Sequence, residues 1–429
     1  MGNPLRIAVA GLGTVGTGVV RVLCEQAEDF AGRTGRDFVL TAVSARDPRK
    51  RRLPFIASLP WVDDPLALVR SDADVVVELM GGEAGVAVEL IRTALEAGKH
   101  VVTANKALLS RHGAELAVIA EANGVALKFE AAAAGGIPIV KALRESLVAH
   151  RVGCVRGILN GTCNYILTQM EATGRPFHDV LADAQRMGFA EADPELDIGG
   201  GDTAHKLALL GSLAFGTRPT REHMTVNGIV NITTEDIVFA REFGCRIKLV
   251  GVARRGPEGI DQRVHPAMIR RGSPLADVEG AFNAVVVDAG EAGPFFFAGR
   301  GAGQAPTASA VIADLVDISR GAIGPVFGRP AAQLETAVPA PENARASAFY
   351  LRFQVVDQPG VLAEIARRLA EAGVSIESMI QRGRASGEPV AIVMITHECT
   401  PMAVESALKA IAGSDKILGR PTMIPMEAG

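Results

Sequence analysis

The chain is most constrained by one hexapeptide, Gly11-Leu12-Gly13-Thr14-Val15-Gly16. It follows the apolar run Arg6-Ile7-Ala8-Val9-Ala10 and opens a helical pattern through Val19, Val20, Val22 and Leu23. Between a strand and a helix, G-x-G-x-x-G is the turn of a dinucleotide-binding fold. Gly11 permits the tight turn, Gly13 lets backbone approach a pyrophosphate, and Gly16 lets the helix close on the strand. Thr14 and Val15 then begin a helix whose free N–H groups and positive dipole end face the phosphates. A glycine turn without a ligand is the alternative, and the residues downstream weigh against it. Predicted strands at 39–44, 74–79, 100–103 and 125–130 alternate with helices at 90–97 and 114–122. That alternation predicts βαβ units around a parallel sheet.

The end of the second strand bears on the cofactor. An NAD-specific site places an acid there to bond the ribose 2′-hydroxyl. Here the turn carries Ser44 and Arg46, followed by Arg49-Lys50-Arg51-Arg52. An arginine fork suits a 2′-phosphate, so NADP is expected, and Asp47 leaves NAD open.

At 429 residues the chain has room for two or three domains. From about 135 the pattern becomes α+β, with strands near 152–159, 226–229, 247–252 and 284–288. Helices are expected at 161–171, 177–187, 203–215 and 234–243, and another at 307–319 after the glycine-rich turn 299–303. The segment 328–347 holds Pro330, Pro339 and Pro341 and little apolar periodicity, and reads as a linker. After it come strand 349–356, helix 361–370, strands 374–381 and 390–396, helix 402–411 and strand 416–424. That βαββαβ order is a ferredoxin-like plait. The expected division is a dinucleotide-binding domain over 1–134 with a return of 304–325, a catalytic domain over 135–303, and the plait over 348–429.

Composition narrows the class. A net charge of −4 gives no footprint for nucleic acid. No run of 18 apolar residues lacks charge, so no transmembrane helix is expected. The first strand begins at Arg6, leaving no room for a signal peptide or a preceding domain, and Arg6 also stands where a myristoylation signal needs Ser or Thr. Five scattered cysteines form no C-x-x-C. A reduced, cytoplasmic protein without disulfides or zinc is expected.

Four acids crowd into Glu191-Ala192-Asp193-Pro194-Glu195-Leu196-Asp197, and Asp202-Thr203-Ala204-His205-Lys206 opens a helix. Asp202 and Lys206, four apart, share one helix face. An acidic loop beside a helix-borne lysine can hold an amino-acid zwitterion and supply a proton near it. An exposed loop with a surface ion pair would look the same. Only 9 of the 44 basic residues are lysines, which adds weight to each lysine inside a motif.

Several strings resemble one family, homoserine dehydrogenase in its monofunctional form with a C-terminal ACT domain. They are Glu78-Leu79-Met80-Gly81-Gly82, Thr103-Ala104-Asn105-Lys106-Ala107-Leu108, EAAAAGGIP (130–138), GILNGTCNY (157–165), GFAEADPELDIGGGDTAHKL (188–207) and GRGAGQAPTAS (299–309). They run in family order over residues 7–320.

The resemblance implies reduction of L-aspartate 4-semialdehyde to L-homoserine with a nicotinamide cofactor, in threonine, methionine and isoleucine biosynthesis. It implies that Lys206 gives the proton to the nascent alkoxide and that Asp202 holds substrate beside it. Lys106 is implied near the nicotinamide. Glu191 and Asp197 are implied at the substrate, Glu191 on its amino group, with Asn160, Gly161 and Thr162 as the pocket turn. Gly188 and Gly303 are implied as further cofactor contacts.

The chemistry is sound, since hydride delivery puts negative charge on the aldehyde oxygen, which an ammonium both stabilises and protonates. His205, Cys163 and Tyr165, though inside the strings, read as packing or cap residues. The resemblance further implies a monovalent cation, Na+, on the Glu130 carboxylate and the carbonyls of Ala133, Gly135 and Ile137; Ala133 replaces the family's frequent valine. Oxygen ligands suit a hard cation.

The plait's turn, Asp357-Gln358-Pro359-Gly360-Val361-Leu362, resembles that of ACT domains, which implies an amino-acid effector, L-threonine, between two copies, and a homodimer or homotetramer. A plait that only assembles copies is the alternative. Two other readings stay in view. An aspartate-semialdehyde dehydrogenase needs a thiolate with a histidine base, and Cys163 has no nearby histidine in sequence. A nucleotide-binding amino-acid sensor has no use for Lys106, Asp202 and Lys206.

Overall fold

The structure is a computed structural model of the chain and describes residues 2–47, 49, 54–341, 345–382 and 389–429. The first layer is a parallel sheet. It is built from β1 (Leu5–Ala10), β2 (Phe38–Ser44), β3 (Val75–Glu78), β4 (His100–Thr103) and β5 (Leu127–Lys128) in the order β2-β1-β3-β4-β5. Helices α1 (Thr14–Glu25), α2 (Ala27–Thr34), α3 (Val86–Glu96) and α4 (Lys106–Ala122) connect the strands. Val75, Val76 and Val77 are wholly buried, as a strand must be when helices cover both sheet faces. The chain leaves β1 for β2 on one side and crosses to β3 on the other. The turn after β1 therefore lies at a topological switch point, where such sheets bind ligands. β5 is shorter than the predicted 125–130 because Glu130–Ala132 turns into a 3-10 helix.

The second layer begins with the short α5 (Ile139–Lys141). It continues through β6 (Cys154–Ile158), α6 (Gly161–Thr173), α7 (Phe177–Arg186), α8 (Glu195–Ile198), α9 (Gly201–Phe215), β7 (Thr225–Val226) and α10 (Thr234–Glu242). Strands β8 (Cys245–Gly256), β9 (Gly259–Arg270), β10 (Phe282–Asp288) and β11 (Pro294–Arg300) complete an antiparallel sheet ordered β11-β10-β6-β8-β9. Sequence patterning missed β9 and β11. In β9, Asp261, Gln262, Arg263 and His265 interrupt the apolar run. Helix α11 (Gln304–Ser319) then returns to the first layer, where Val311 and Leu315 share a core with Val19 and Val20 of α1.

Residues 331–340 lie packed rather than free. Ala331 and Leu334 are buried, Glu335 bridges Thr217, and Pro339 bridges Ile260. The plait follows: β12 (Phe349–Val356), α12 (Val361–Glu371), β13 (Ile376–Gln381), β14 (Pro389–Thr396), α13 (Pro401–Ile411) and β15 (Ile417–Glu427), in sheet order β15-β12-β14-β13. β15 runs past the predicted 424, and Met426 and Glu427 pair in parallel with Met268 and Ile269 of β9. The plait and the second-layer sheet are therefore one continuous sheet. Two charged contacts fasten the seam. Arg345 forks onto Glu427 at 2.8 and 2.6 Å. Arg352 and Tyr350 of β12 bond the buried Asp236 of α10 at 2.6 and 3.2 Å.

Candidate active site

The glycine turn has the geometry its sequence implies. Gly11 sits at φ 97°, and a Cβ there would lie 2.5 Å from the Leu79 carbonyl oxygen. A Cβ on Gly16 would lie 1.8 Å from the Gly11 oxygen, so the helix closes on the turn only without one. Gly13 differs, because a Cβ there meets nothing within 4 Å. Its bareness is unused by the protein itself, as expected where a ligand's phosphates approach backbone. Among the described residues no side chain caps the first turn of α1, leaving its N–H groups for an anion. Arg46 stands exposed two residues beyond β2, whose last residue, Ser44, accepts the Gly11 N–H. Arg49 pairs with Asp47; Lys50, Arg51 and Arg52 of the basic run lie outside the described residues.

Helix α9 opens at Gly201 and places Asp202 and Lys206 one turn apart, both buried. Lys206 Nζ donates to Asp202 Oδ2 and to the Leu159 carbonyl, each at 2.7 Å. Asn160 Nδ2 donates to the same Asp202 oxygen at 2.9 Å and to Asp197 Oδ1 at 2.8 Å. Lys106 Nζ reaches Asp202 Oδ1 at 3.2 Å. One carboxylate thus ties two lysines and an amide. Burial alone would raise the Asp202 pKa, but Lys206 and Lys106 outweigh it and hold the carboxyl well below the usual range. Asp197 goes the other way, raised by burial and then by the nearby Asp202 charge.

Local structure explains how Lys106 arrives there. Asn105 caps α4 by accepting the Leu108 N–H, and its Nδ2 donates to the Gly82 carbonyl at 2.7 Å. The buried Glu78 accepts the N–H groups of Met80 and Gly81 and the hydroxyl of Thr103. Glu78, Thr103 and Asn105 therefore frame the helix start that presents Lys106. None was assigned a role from sequence; the signal was a lone acid ending the apolar strand Val75–Glu78.

Other expected residues lie differently. Asn160 caps α6 through the Cys163 N–H, and Gly161 opens that helix. Thr162 turns its hydroxyl to the Phe189 carbonyl at 2.8 Å. Glu191 is exposed, and its carboxylate makes no bond among the described residues. Gly188 lies in the same loop at φ 75°. Gly303 caps α11, whose Gln304 Nε2 donates to the Thr14 carbonyl at 2.9 Å, beside the glycine turn. In the segment 130–137 the Glu130 carboxylate accepts the N–H groups of Val140 and Lys141 at 2.9 and 2.8 Å. The Ala133 and Gly135 carbonyls accept no hydrogen bond among the described residues. Cys163 is wholly buried, its thiol facing the Asp197 carbonyl, and burial followed by the Asp197 and Asp202 charges pushes its pKa well up. His205 is buried with both ring nitrogens unpartnered among the described residues. Burial, reinforced by Arg221 and Lys106, takes its pKa down to about 4.

A nucleotide turn at a switch point, together with a buried lysine on a fixed carboxylate, defines a nicotinamide-dependent oxidoreductase with an ACT plait attached. The homoserine dehydrogenase family profile matches residues 138–316, its NAD-binding domain matches 11–130, and the ACT domain matches 349–413. The chain belongs to the homoserine dehydrogenase family. It is 44% identical over 433 residues to homoserine dehydrogenase of Neisseria gonorrhoeae, covering 99% of each chain. The crystal structure of a homoserine dehydrogenase from Thiobacillus denitrificans superposes with a TM-score of 0.93 at 43% identity, covering 100% of this chain and 99% of that one. A hyperthermophilic archaeal homoserine dehydrogenase in complex with NADPH matches 73% of this chain and 97% of its own, at 25% identity and a TM-score of 0.63. Among the described residues no helix is long and apolar enough to cross a membrane.

Proposed function

We propose that the chain reduces L-aspartate 4-semialdehyde to L-homoserine, reversibly, with NADPH preferred to NADH. The observation that carries this reading is the bonding of Lys206. An ammonium has three N–H donors. Two are committed, to Asp202 and to the Leu159 carbonyl, so the third is left for a substrate oxygen. When bound, the nicotinamide supplies hydride to the aldehyde carbon. Lys206 gives its third proton to the developing alkoxide and keeps its other two bonds, so it needs no reorganisation during the transfer. Asp202 holds both lysines in place, with Asn160 fixing the carboxylate from the other side. Lys106 lies at the cofactor side of the cluster, Gly188 and Gly303 line the cofactor, and Glu191, with Asp197 and the turn of Asn160, Gly161 and Thr162, receives the substrate's amino-acid end.

The cofactor preference rests on Arg46 beside the glycine turn, and the archaeal relative's complex with NADPH supports it. A cation such as Na+ fits the segment 130–137. The Ala133 and Gly135 carbonyls are free there, and Glu130 and Asp314 form a buried acidic pair, the latter pushed up to about 7 by burial and then by Glu130. Because the Glu130 carboxylate already serves Val140 and Lys141, and the Ile137 carbonyl already accepts the Ile139 N–H, the Ala133 and Gly135 carbonyls would be the main ligands, with Glu130 and Ile137 completing the set. The plait takes L-threonine at the turn 357–362, where no side chain caps α12 among the described residues. The copies that would share the effector make the chain a homodimer or homotetramer of the cytoplasm. A spectrophotometric comparison tests the reaction. NADPH oxidation is expected with aspartate semialdehyde; NADP reduction with the same aldehyde plus phosphate instead would assign the rival dehydrogenase. That rival needs a thiolate, and Cys163 is buried and held protonated. Titration calorimetry with L-threonine on the full chain is expected to show saturable heat, and a plait that only assembles copies would show none.

A further inference from the structure

The direction of the third N–H of Lys206 depends on how firmly its two acceptors are held. Asp202 is fixed by Asn160 and Lys106. The other acceptor, the Leu159 carbonyl, lies at the end of β6, just past the last strand residue. A carbonyl has two lone pairs, and Lys206 uses one. The second is taken by Asn283 Nδ2 at 2.9 Å. Asn283 belongs to β10, where it is the one amide in the buried run Asn283-Ala284-Val285-Val286-Val287.

Its surroundings are shaped to this amide. A Cβ on Gly301 would lie 1.9 Å from Asn283 Nδ2, and one on Gly161 would lie 3.4 Å from its Oδ1 and 2.7 Å from the Ala281 carbonyl oxygen. Gly301, just after β11, and Gly161, opening α6, thus leave room for one side chain. Oδ1 is buried and has no partner among the described residues. Turning the amide over would set Oδ1 against the Leu159 oxygen, so the assigned orientation is the one the network requires. An unsatisfied buried acceptor is a cost. Among the described residues the donor end, on the Leu159 carbonyl, is therefore where this side chain makes its hydrogen bond. The approach to Asn283 is rigid as well. Buried Lys248 donates to the Val278 carbonyl at 2.6 Å and to Asn164 Oδ1 at 3.0 Å, and Asn164 Nδ2 donates to the Val278 and Phe282 carbonyls.

We propose that Asn283 is a positioning residue for the reaction, pinning the Leu159 carbonyl so that Lys206 presents its free N–H to the substrate oxygen. The inference rests on the reading that Lys206 is the proton donor. Without the amide the carbonyl can rotate, and the lysine follows it. A misaimed donor slows proton transfer while cofactor binding, which uses the glycine turn, is untouched.

The test is steady-state kinetics of full-length Asn283→Ala and Asn283→Leu, the second keeping the volume while removing the donor and adding no buried charge. The expected result is a fall in kcat of about ten-fold or more with the NADPH KM kept within about two-fold. The solvent deuterium isotope effect on kcat should rise as proton transfer becomes limiting. A merely structural role would lower kcat through the folded fraction and leave that isotope effect unmoved. Wild-type kcat in either folded variant, or a fall with an unchanged isotope effect, overturns the proposal. A wild-type enzyme inactive on aspartate semialdehyde would instead overturn the reading beneath it. If Asn283→Ala does not fold, Asn283→Leu decides alone.

Discussion

The glycine turn and the lysine–carboxylate cluster are made of different material. The turn is backbone: its ligand-facing surface consists of N–H groups, and its glycines matter for the side chains they lack. The cluster is side chain: Lys206, Asp202, Asn160 and Lys106 hold one another through directed bonds inside the protein. A backbone site tolerates change wherever the new atom meets empty space. A buried charge cluster tolerates almost none, because removing one member strands the charge of another. Substitutions at the two places should therefore fail in different ways, one in binding and one in turnover.

The sharpest break is expected at Lys206. Lys206→Ala removes the proton donor and leaves Asp202 with only Lys106 and Asn160. General acid catalysis is typically worth 10²–10⁴, so kcat should fall by about 100-fold or more with NADPH affinity nearly unchanged. Stopped-flow or steady-state assays with saturating cofactor read this directly. Turnover near wild type would remove Lys206 from the chemistry.

Two substitutions probe the backbone side. In Gly13→Ala the new methyl meets nothing in the protein, so the melting temperature should hold while NADPH binding weakens by roughly ten-fold, about 1.4 kcal/mol. Gly16→Ala drives a Cβ into the Gly11 carbonyl, so stability should fall along with binding. If Gly13→Ala leaves NADPH affinity intact, the phosphates do not approach there. Arg46→Ala should weaken NADPH more than NADH, by about 1–3 kcal/mol if a charged hydrogen bond to the 2′-phosphate is lost. Fluorescence titration with both cofactors decides it, and equal weakening would rule Arg46 out as the discriminator.

The same contrast governs what could be read from sequence. The glycine turn was legible because its function is written in spacing: strand, three glycines, helix. The plait was legible from its apolar periods. Asp202 and Lys206 could be placed on one helix face, but nothing in their spacing said that Asn160, 42 residues earlier, would share the carboxylate. Asn283 was invisible, being a single amide in a strand whose bond partner lies 124 residues away. β9 was lost because polar residues break its apolar run: Arg263 bonds Asp261 within the strand, and His265 lies 3.4 Å from Glu427 across the seam. The joining of the plait to the catalytic sheet left no local signature either. It depends on two backbone pairs at the end of β15.

That seam yields the prediction with the smallest effect on turnover. Glu427 is buried, which alone would raise its pKa, but His265 and the Arg345 fork outweigh burial and hold it down to about 2. A carboxylate whose folded pKa lies below its unfolded value stabilises the fold above the unfolded pKa, near 4.5, and loses that stabilisation as pH falls toward 2. The separation corresponds to stability on the order of 3 kcal/mol at neutral pH. Glu427→Gln should therefore lower the melting temperature at pH 7 and flatten the acid limb of stability between pH 4.5 and 2, while kcat stays within about two-fold. Thermal melts from pH 7 to 2 on both proteins check it. An acid limb as steep in the variant as in wild type would mean that other carboxylates set acid stability. A large loss of kcat at pH 7 would mean that the seam is part of the catalytic machinery, and that the separation of plait from cluster is less complete than their geometry implies. Truncation near Ala340 is a blunter probe, since it strips Arg352 and Tyr350 from the buried Asp236 and leaves that carboxylate with only the Thr233 N–H and hydroxyl and no counter-charge.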